Sequence, residues 1–151
     1  MPWGQCVGRR ESAVVGLVLV SHSALLAEGL AQLVADIQPD LPVRAAGGAG
    51  DGRLGTNADT IHQAIVELDN PDGVLILLDL GSAVMSAEIA LEWLTEEQRA
   101  RVMISDAPLV EGAVLVATNA ALNLTLTELA ASAQEARFFP KNVMPVSSAQ
   151  P

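Results

Sequence analysis

Hydrophobic positions along the chain switch between unbroken runs and helical spacing, and the switches predict its elements. Val14–Val20 is short, apolar throughout and rich in β-branched residues, which suits a strand buried on both faces. Leu26, Leu30, Leu33, Val34 and Ile37 follow at spacings of 4, 3, 1 and 3, forming one face of a helix that stops before Pro39. Pro42–Ala46 is a weaker second strand, and the glycine-rich loop GGAGDGRLGT covers residues 47–56. Thr56, with Asp59 three residues on, predicts a capping box for a second helix that buries Ile61, Ile65 and Leu68. Asn70-Pro71-Asp72-Gly73 is a turn. Val74–Leu78 is the clearest central strand, and DLGSA, Asp79–Ala83, leads into a third helix that reaches about Leu94. Arg101–Ile104 is a short fourth strand, and helices follow over Leu109–Ala121 and Leu124–Arg137. Met85 and Met103 read as core filler, and Trp93 as a core or interface residue.

This alternation predicts an α/β, doubly wound fold. Its central, mainly parallel four-stranded sheet has helices on both faces. Ligands of such sheets bind beyond the carboxyl ends of the strands, where the strand order reverses. Those ends carry Ser21-His22-Ser23, the Gly47–Thr56 loop, Asp79-Leu80-Gly81-Ser82 and Ser105-Asp106. An order of 2-1-3-4 makes strands 1 and 3 neighbours, so His22 and Asp79 face one another there. The domain spans residues 14–138, between a leader at 1–13 and a loose tail at 139–151 that is rich in proline and serine. Arg9-Arg10 ahead of Ala13–Val20 has the outline of a signal peptide. The apolar stretch is short, however, and runs straight into a folded-looking unit.

Composition narrows the partners. Half of the 151 residues are apolar and 3% aromatic, so the core is aliphatic. A net charge of −10, with Lys141 the one lysine, argues against nucleic acid and anionic membranes. Cys6 is alone, which excludes a disulfide framework and a cysteine metal site. No apolar run approaches the roughly 20 residues of a membrane span, and an acidic balance is ordinary for a cytoplasmic protein.

The chemistry concentrates on His22. It sits where a strand passes into a helix whose N-terminus favours an anion. A carboxylate on one imidazole nitrogen fixes the tautomer and leaves the other as a nucleophile, so this histidine is suited to accept a phosphoryl group. Asp79 would supply that carboxylate, although an acid there, or Ser82, also suits a helix cap. Ser21 and Ser23 flank the histidine; main-chain N–H groups with Ser23, Ser82 and Thr56 would hold phosphate oxygens. Gly50–Thr56 matches the Walker spacing but lacks its lysine, and no dinucleotide glycine fingerprint follows the first strand. An aspartate-phosphorylated receiver would need acidic metal ligands after the first strand, where Ser-His-Ser stands. His62 reads as a surface or interface residue. The two histidines are too far apart in sequence, and too poorly supported, for a metal site.

Three segments, LVLVSHSALLAEGLAQL, AAGGAGDGRLGTNADTI and GVLILLDLGSAVMSAEIALEWL, resemble the phosphotransferase subunits of phosphoenolpyruvate-dependent dihydroxyacetone kinases. These belong with the mannose-type EIIA domains of the sugar phosphotransferase system. The likeness covers about residues 14–135. It implies that His22 is the phosphohistidine and that Asp79 bonds its ring. It also implies that Gly81 and Ser82 line the site and that Gly47, Gly48 and Thr56 form the loop opposite. It implies a homodimer that takes phosphate from HPr and passes it to ADP in the nucleotide-binding kinase subunit. ATP formed there serves the dihydroxyacetone-binding subunit. ADP, ATP and Mg would thus belong to the partner, with no cofactor or metal in this chain. Met1–Ser12 matches nothing in the family pattern and fits a start assigned too early. The chain ends too soon for the fused HPr-like and enzyme-I-like domains of some relatives. Other readings on the same residues are a mannose-type sugar-transport EIIA, a non-catalytic regulatory module, and a small-metabolite binder using the glycine loop.

Overall fold

The computed structural model describes residues 14–144. The 1–13 leader, including Arg9-Arg10, and the tail from 145 onward lie outside the described residues. Four strands, β1 (Gly16–Ser21), β2 (Val43–Gly47), β3 (Val74–Leu78) and β4 (Val102–Ser105), form one sheet in the order β2-β1-β3-β4. Every pairing is parallel. The predicted strands are therefore present, with edges moved by one or two residues. Strand β1 starts later than expected, at Gly16, whose N–H donates to Gly73 O at 2.9 Å, whereas the Val14 N–H donates to the Asp72 carboxylate at 2.9 Å.

Helices α1 (Ala24–Ile37), α5 (Leu109–Asn119) and α6 (Leu126–Gln134) cover one face of the sheet. Helices α2 (Ala58–Leu68) and α3 (Ala83–Glu92) cover the other, and short α4 (Glu96–Arg99) precedes β4. The central strands show how an unbroken apolar run serves two layers. Leu17, Leu19, Leu75 and Leu77 enter the core under α1, α5 and α6. Val18, Val20, Ile76 and Leu78 enter the core under α2 and α3, as alternation along a strand requires. Each fully buried side chain of this size contributes about 1.5–3 kcal/mol through removal from water.

Five expectations change. Helix α1 buries Ala27, Leu30 and Val34, while Leu26, Leu33 and Ile37 remain substantially exposed; small Ala27 allows close approach to β2 and turns the buried face. Met85 is 70% exposed and so is not core filler, whereas Met103 packs partly buried against the core. Asn57, not Thr56, caps α2, its side chain accepting from the N–H groups of Asp59 and Thr60. Helix α4 was not expected, although its Thr95–Gln98 capping box is a legible start signal. The last predicted helix starts later, at a Thr125–Glu128 capping box, and closes in a tighter turn over Glu135–Phe138.

Candidate functional site

The site is built at the carboxyl ends of β1 and β3. His22 Nδ1 lies 2.9 Å from Asp79 Oδ1. Asp79 Oδ2 accepts from the His22 main-chain N–H at 2.9 Å and from the Ser21 hydroxyl at 3.0 Å. The Leu80 N–H donates to Oδ1 at 2.7 Å. The carboxylate thus orients the ring and also ties together the turns that follow both strands. Burial by itself pushes the Asp79 carboxyl up. Hydrogen bonds from the His22 backbone and ring, the Ser21 hydroxyl and the Leu80 backbone outweigh it and hold the carboxyl below the ordinary range. An ionised carboxylate only accepts, so the ring proton sits on Nδ1. Nε2 then carries the lone pair, and the Ser82 hydroxyl donates to it at 2.8 Å. The imidazole keeps 27% of its side-chain surface exposed, against 16% for Asp79, so the ring is reachable and its anchor is sheltered.

The flanking serines take unequal roles. Ser21 is fully buried; it donates to Asp79 and accepts from the Ser23 N–H at 3.1 Å. Ser23 caps α1, accepting from the Leu26 N–H at 3.3 Å, so its hydroxyl is engaged with the helix. Ser82 stands at the N-cap position of α3 but makes no cap bond, because its hydroxyl is turned to His22. The N–H groups of Ala24 and Leu25 at the start of α1, and of Gly81 before α3, make no hydrogen bond among the described residues. Such groups attract anions.

The glycine loop closes over this turn. Gly48 N–H donates to Ser21 O at 3.1 Å and Gly55 N–H to His22 O at 2.8 Å. A Cβ on Gly47 would stand 2.6 Å from Ser23 O and 2.8 Å from Ala24 Cα, so only glycine lets β2 end this near the histidine. Gly48 has φ +79°, which favours glycine. Gly81 has open space around it. Thr56, expected at the site, hydrogen-bonds through Oγ1 to Ser86 Oγ at 2.6 Å and so joins the loop to α3. Asn57 Nδ2 donates to Ala49 O at 3.0 Å, holding the loop from its other side. Sequence reasoning missed both Ser86 and Asn57. Asn57 was legible as a strong cap residue, but Ser86 carried no signal. A cavity of about 400 Å³ lies between this loop and the start of α1, lined by Ser23, Ala24, Leu25, Gly48 and Arg53 among others.

His62 is on α2, away from these groups, with its ring edge-on to Trp93 at 5.8 Å between centroids. Among the described residues no group of three or more His, Cys, Asp or Glu side chains is placed to hold a metal ion. None of the described helices is long and apolar enough to cross a membrane.

Comparison with known proteins gives the family of the chain. The EIIA-man family, described as the PTS system fructose IIA component, matches residues 16–131. The phosphoryl donor subunit DhaM of PEP-dependent dihydroxyacetone kinase 2 from Listeria innocua is 43% identical over 111 residues, covering 73% of this chain and 89% of its own length. The DhaM of Escherichia coli K12 is 39% identical over 112 residues, which are 72% of this chain and 24% of that protein. The DhaM of Providencia stuartii is 38% identical over 127 residues, 82% of this chain and 27% of that protein. The chain therefore spans about a quarter of the two enterobacterial relatives. A crystal structure of a protein of unknown function superposes with a TM-score of 0.74 at 36% identity, covering 81% of this chain and 94% of the other. By fold and by relatives, this chain belongs to the EIIA-man family and, within it, to the DhaM-type phosphoryl donor subunits.

Proposed function

We propose that the chain is a phosphohistidine carrier that accepts a phosphoryl group on His22 Nε2 and hands it on to a dihydroxyacetone kinase. The observation that carries this reading is the split of the imidazole, with Nδ1–H on Asp79 and a reachable Nε2 under Ser82. Nε2 attacks the phosphorus of a donor phosphohistidine in line. One N–P bond forms, the donor's P–N bond breaks, and its electron pair returns to the donor imidazole. The Nδ1 proton stays between ring and carboxylate, so the charge arriving on the ring is met by Asp79 without a proton leaving. Ser82 then turns its hydroxyl to a phosphoryl oxygen, beside the N–H groups of Ala24, Leu25 and Gly81. Such transfer depends on positioning and charge stabilisation more than on further covalent chemistry.

On this reading the donor is HPr and the acceptor is ADP held by the kinase's nucleotide-binding subunit, which serves the dihydroxyacetone-binding subunit. The nucleotide and its Mg stay with that partner, and the chain works in the cytoplasm. The DhaM relatives support the dihydroxyacetone branch. The description of the family as a fructose IIA component supports the second reading, a mannose-type EIIA that passes phosphate to a sugar transporter. A homodimer belongs to the same proposal. Exposed Leu26, Leu33 and Ile37 form a line on α1, with Gly29 between them, and offer a surface for it. The test is incubation with phosphoenolpyruvate, enzyme I and HPr, followed by intact-mass analysis before and after acid. One acid-labile phosphoryl group, absent in His22→Ala, is the expected result. Its absence from the wild type overturns the reading.

A further inference from the structure

A stripe of exposed apolar side chains runs away from the candidate site along α3. Leu80 and Met85 flank Ser82, and Ile89 and Trp93 continue at intervals of four residues from Met85. Met85 is 70% and Trp93 53% exposed. A rise of 1.5 Å per residue puts Trp93 about 16 Å from Ser82 along the helix. An ordinary protein contact covers about 800 Å² on each side, so a partner seated over His22 reaches Trp93. The Trp93 ring is already held, edge-on, by His62 of α2 at 5.8 Å. A pre-positioned tryptophan loses little freedom on binding and is a common anchor of interfaces.

Charge selects the partner. Exposed Glu88, Glu92, Glu96 and Glu97 border the stripe, and no lysine or arginine occurs between Arg53 and Arg99. The surface is thus an apolar strip with an anionic rim. Its complement is an apolar face rimmed by lysine and arginine.

We propose that the α3 stripe is the docking surface for the phosphoryl-donor protein, which presents its phosphohistidine from an apolar face with a basic rim and uses Trp93 as its far anchor. This rests on the carrier reading, since it is transfer to His22 that brings a protein to the head of α3. The rim steers encounter and the strip sets lifetime, because exposed charges act mainly on association and are screened by salt.

The experiment measures transfer from phosphorylated HPr to Trp93→Ala, Ile89→Ser and the Glu88→Lys/Glu92→Lys pair, with circular dichroism as the fold control. The expected result is a KM for the donor raised about tenfold or more in the first two, with kcat within about twofold. The charge reversal should raise KM at low salt, with the difference fading as salt is added. An unchanged KM in all the variants overturns the proposal. So does a change in sedimentation without a change in KM, which assigns the stripe to a second copy of the chain. The Trp93 indole N–H resonance, titrated with unphosphorylated HPr, reads docking without transfer. A shifted indole with no transfer overturns the carrier reading and leaves docking standing. Transfer with an unmoved indole overturns docking and leaves the carrier standing.

Discussion

His22 and Asp79 are 57 positions apart in the chain and 2.9 Å apart in space. Their contact is a consequence of strand order. Strands β1 and β3 are hydrogen-bonded neighbours with Val20 opposite Leu78, so the first residues past each strand emerge side by side. The same carboxylate holds the backbone of both turns, and the ring geometry is inherited from the sheet.

Removing the Asp79 side chain therefore acts on chemistry and on stability. Asp79→Ala leaves the buried Ser21 hydroxyl and the His22 N–H without their acceptor, which costs about 1–3 kcal/mol. Loss of ring orientation slows phosphoryl transfer by roughly 10²-fold. Urea unfolding and single-turnover labelling by phosphorylated HPr measure the two effects separately.

The sign of the Asp79 shift sets an acid limit. Its carboxyl is held below the ordinary value, because its hydrogen bonds outweigh the upward push of burial. A depressed carboxyl stabilises the fold fully above its unfolded value, about pH 4, and the contribution is lost as pH falls through the lower folded value. Asp51, Asp106 and Glu111 are shifted the same way by hydrogen bonds at the surface, where salt screens the charge. Unfolding midpoints measured below pH 5 in high salt should fall for the wild type and fall less steeply for Asp79→Asn.

Two cap positions separate a structural role from a site role. Asn57→Ala removes the cap of α2 and the bond to Ala49 O, with an expected loss of about 1 kcal/mol. Ser82→Ala removes no cap bond and should change stability by no more than about 0.5 kcal/mol, while transfer slows. Equal thermal losses in the two variants would contradict this assignment.

Glycine is required at one position of the site and dispensable at another. Gly47→Ala drives a methyl against Ser23 O and Ala24 Cα, both backbone atoms that cannot turn aside, at an expected cost of about 1–3 kcal/mol. Gly81→Ala meets open space and should fold as the wild type does. Thermal melts of the two proteins, side by side, give the comparison.

The elements were legible because their signals are local. An apolar run bounded by Asn70–Gly73 and Asp79 can only be a buried strand, and the boundaries of all four strands fell within two residues of expectation. The misjudged details were those decided by a neighbour. Thr56 has the spacing of a cap, yet Asn57 beside it takes that role while Thr56 bonds Ser86 on another helix. Met85 is as apolar as any core residue, yet its place on α3 points it outward.

By itself, the sequence determined the alternation of strands and helices, the aliphatic two-layer core, and the placing of His22 and Asp79 at strand ends. Each follows from the periodicity of a short segment or from the handedness rules for parallel sheets. Only the tertiary structure decided which ring nitrogen is free, that Ser21 braces the carboxylate while Ser82 faces the ring, and that α3 leaves an apolar stripe uncovered. Those outcomes depend on ångström-scale distances between segments remote in the chain, which no local pattern encodes.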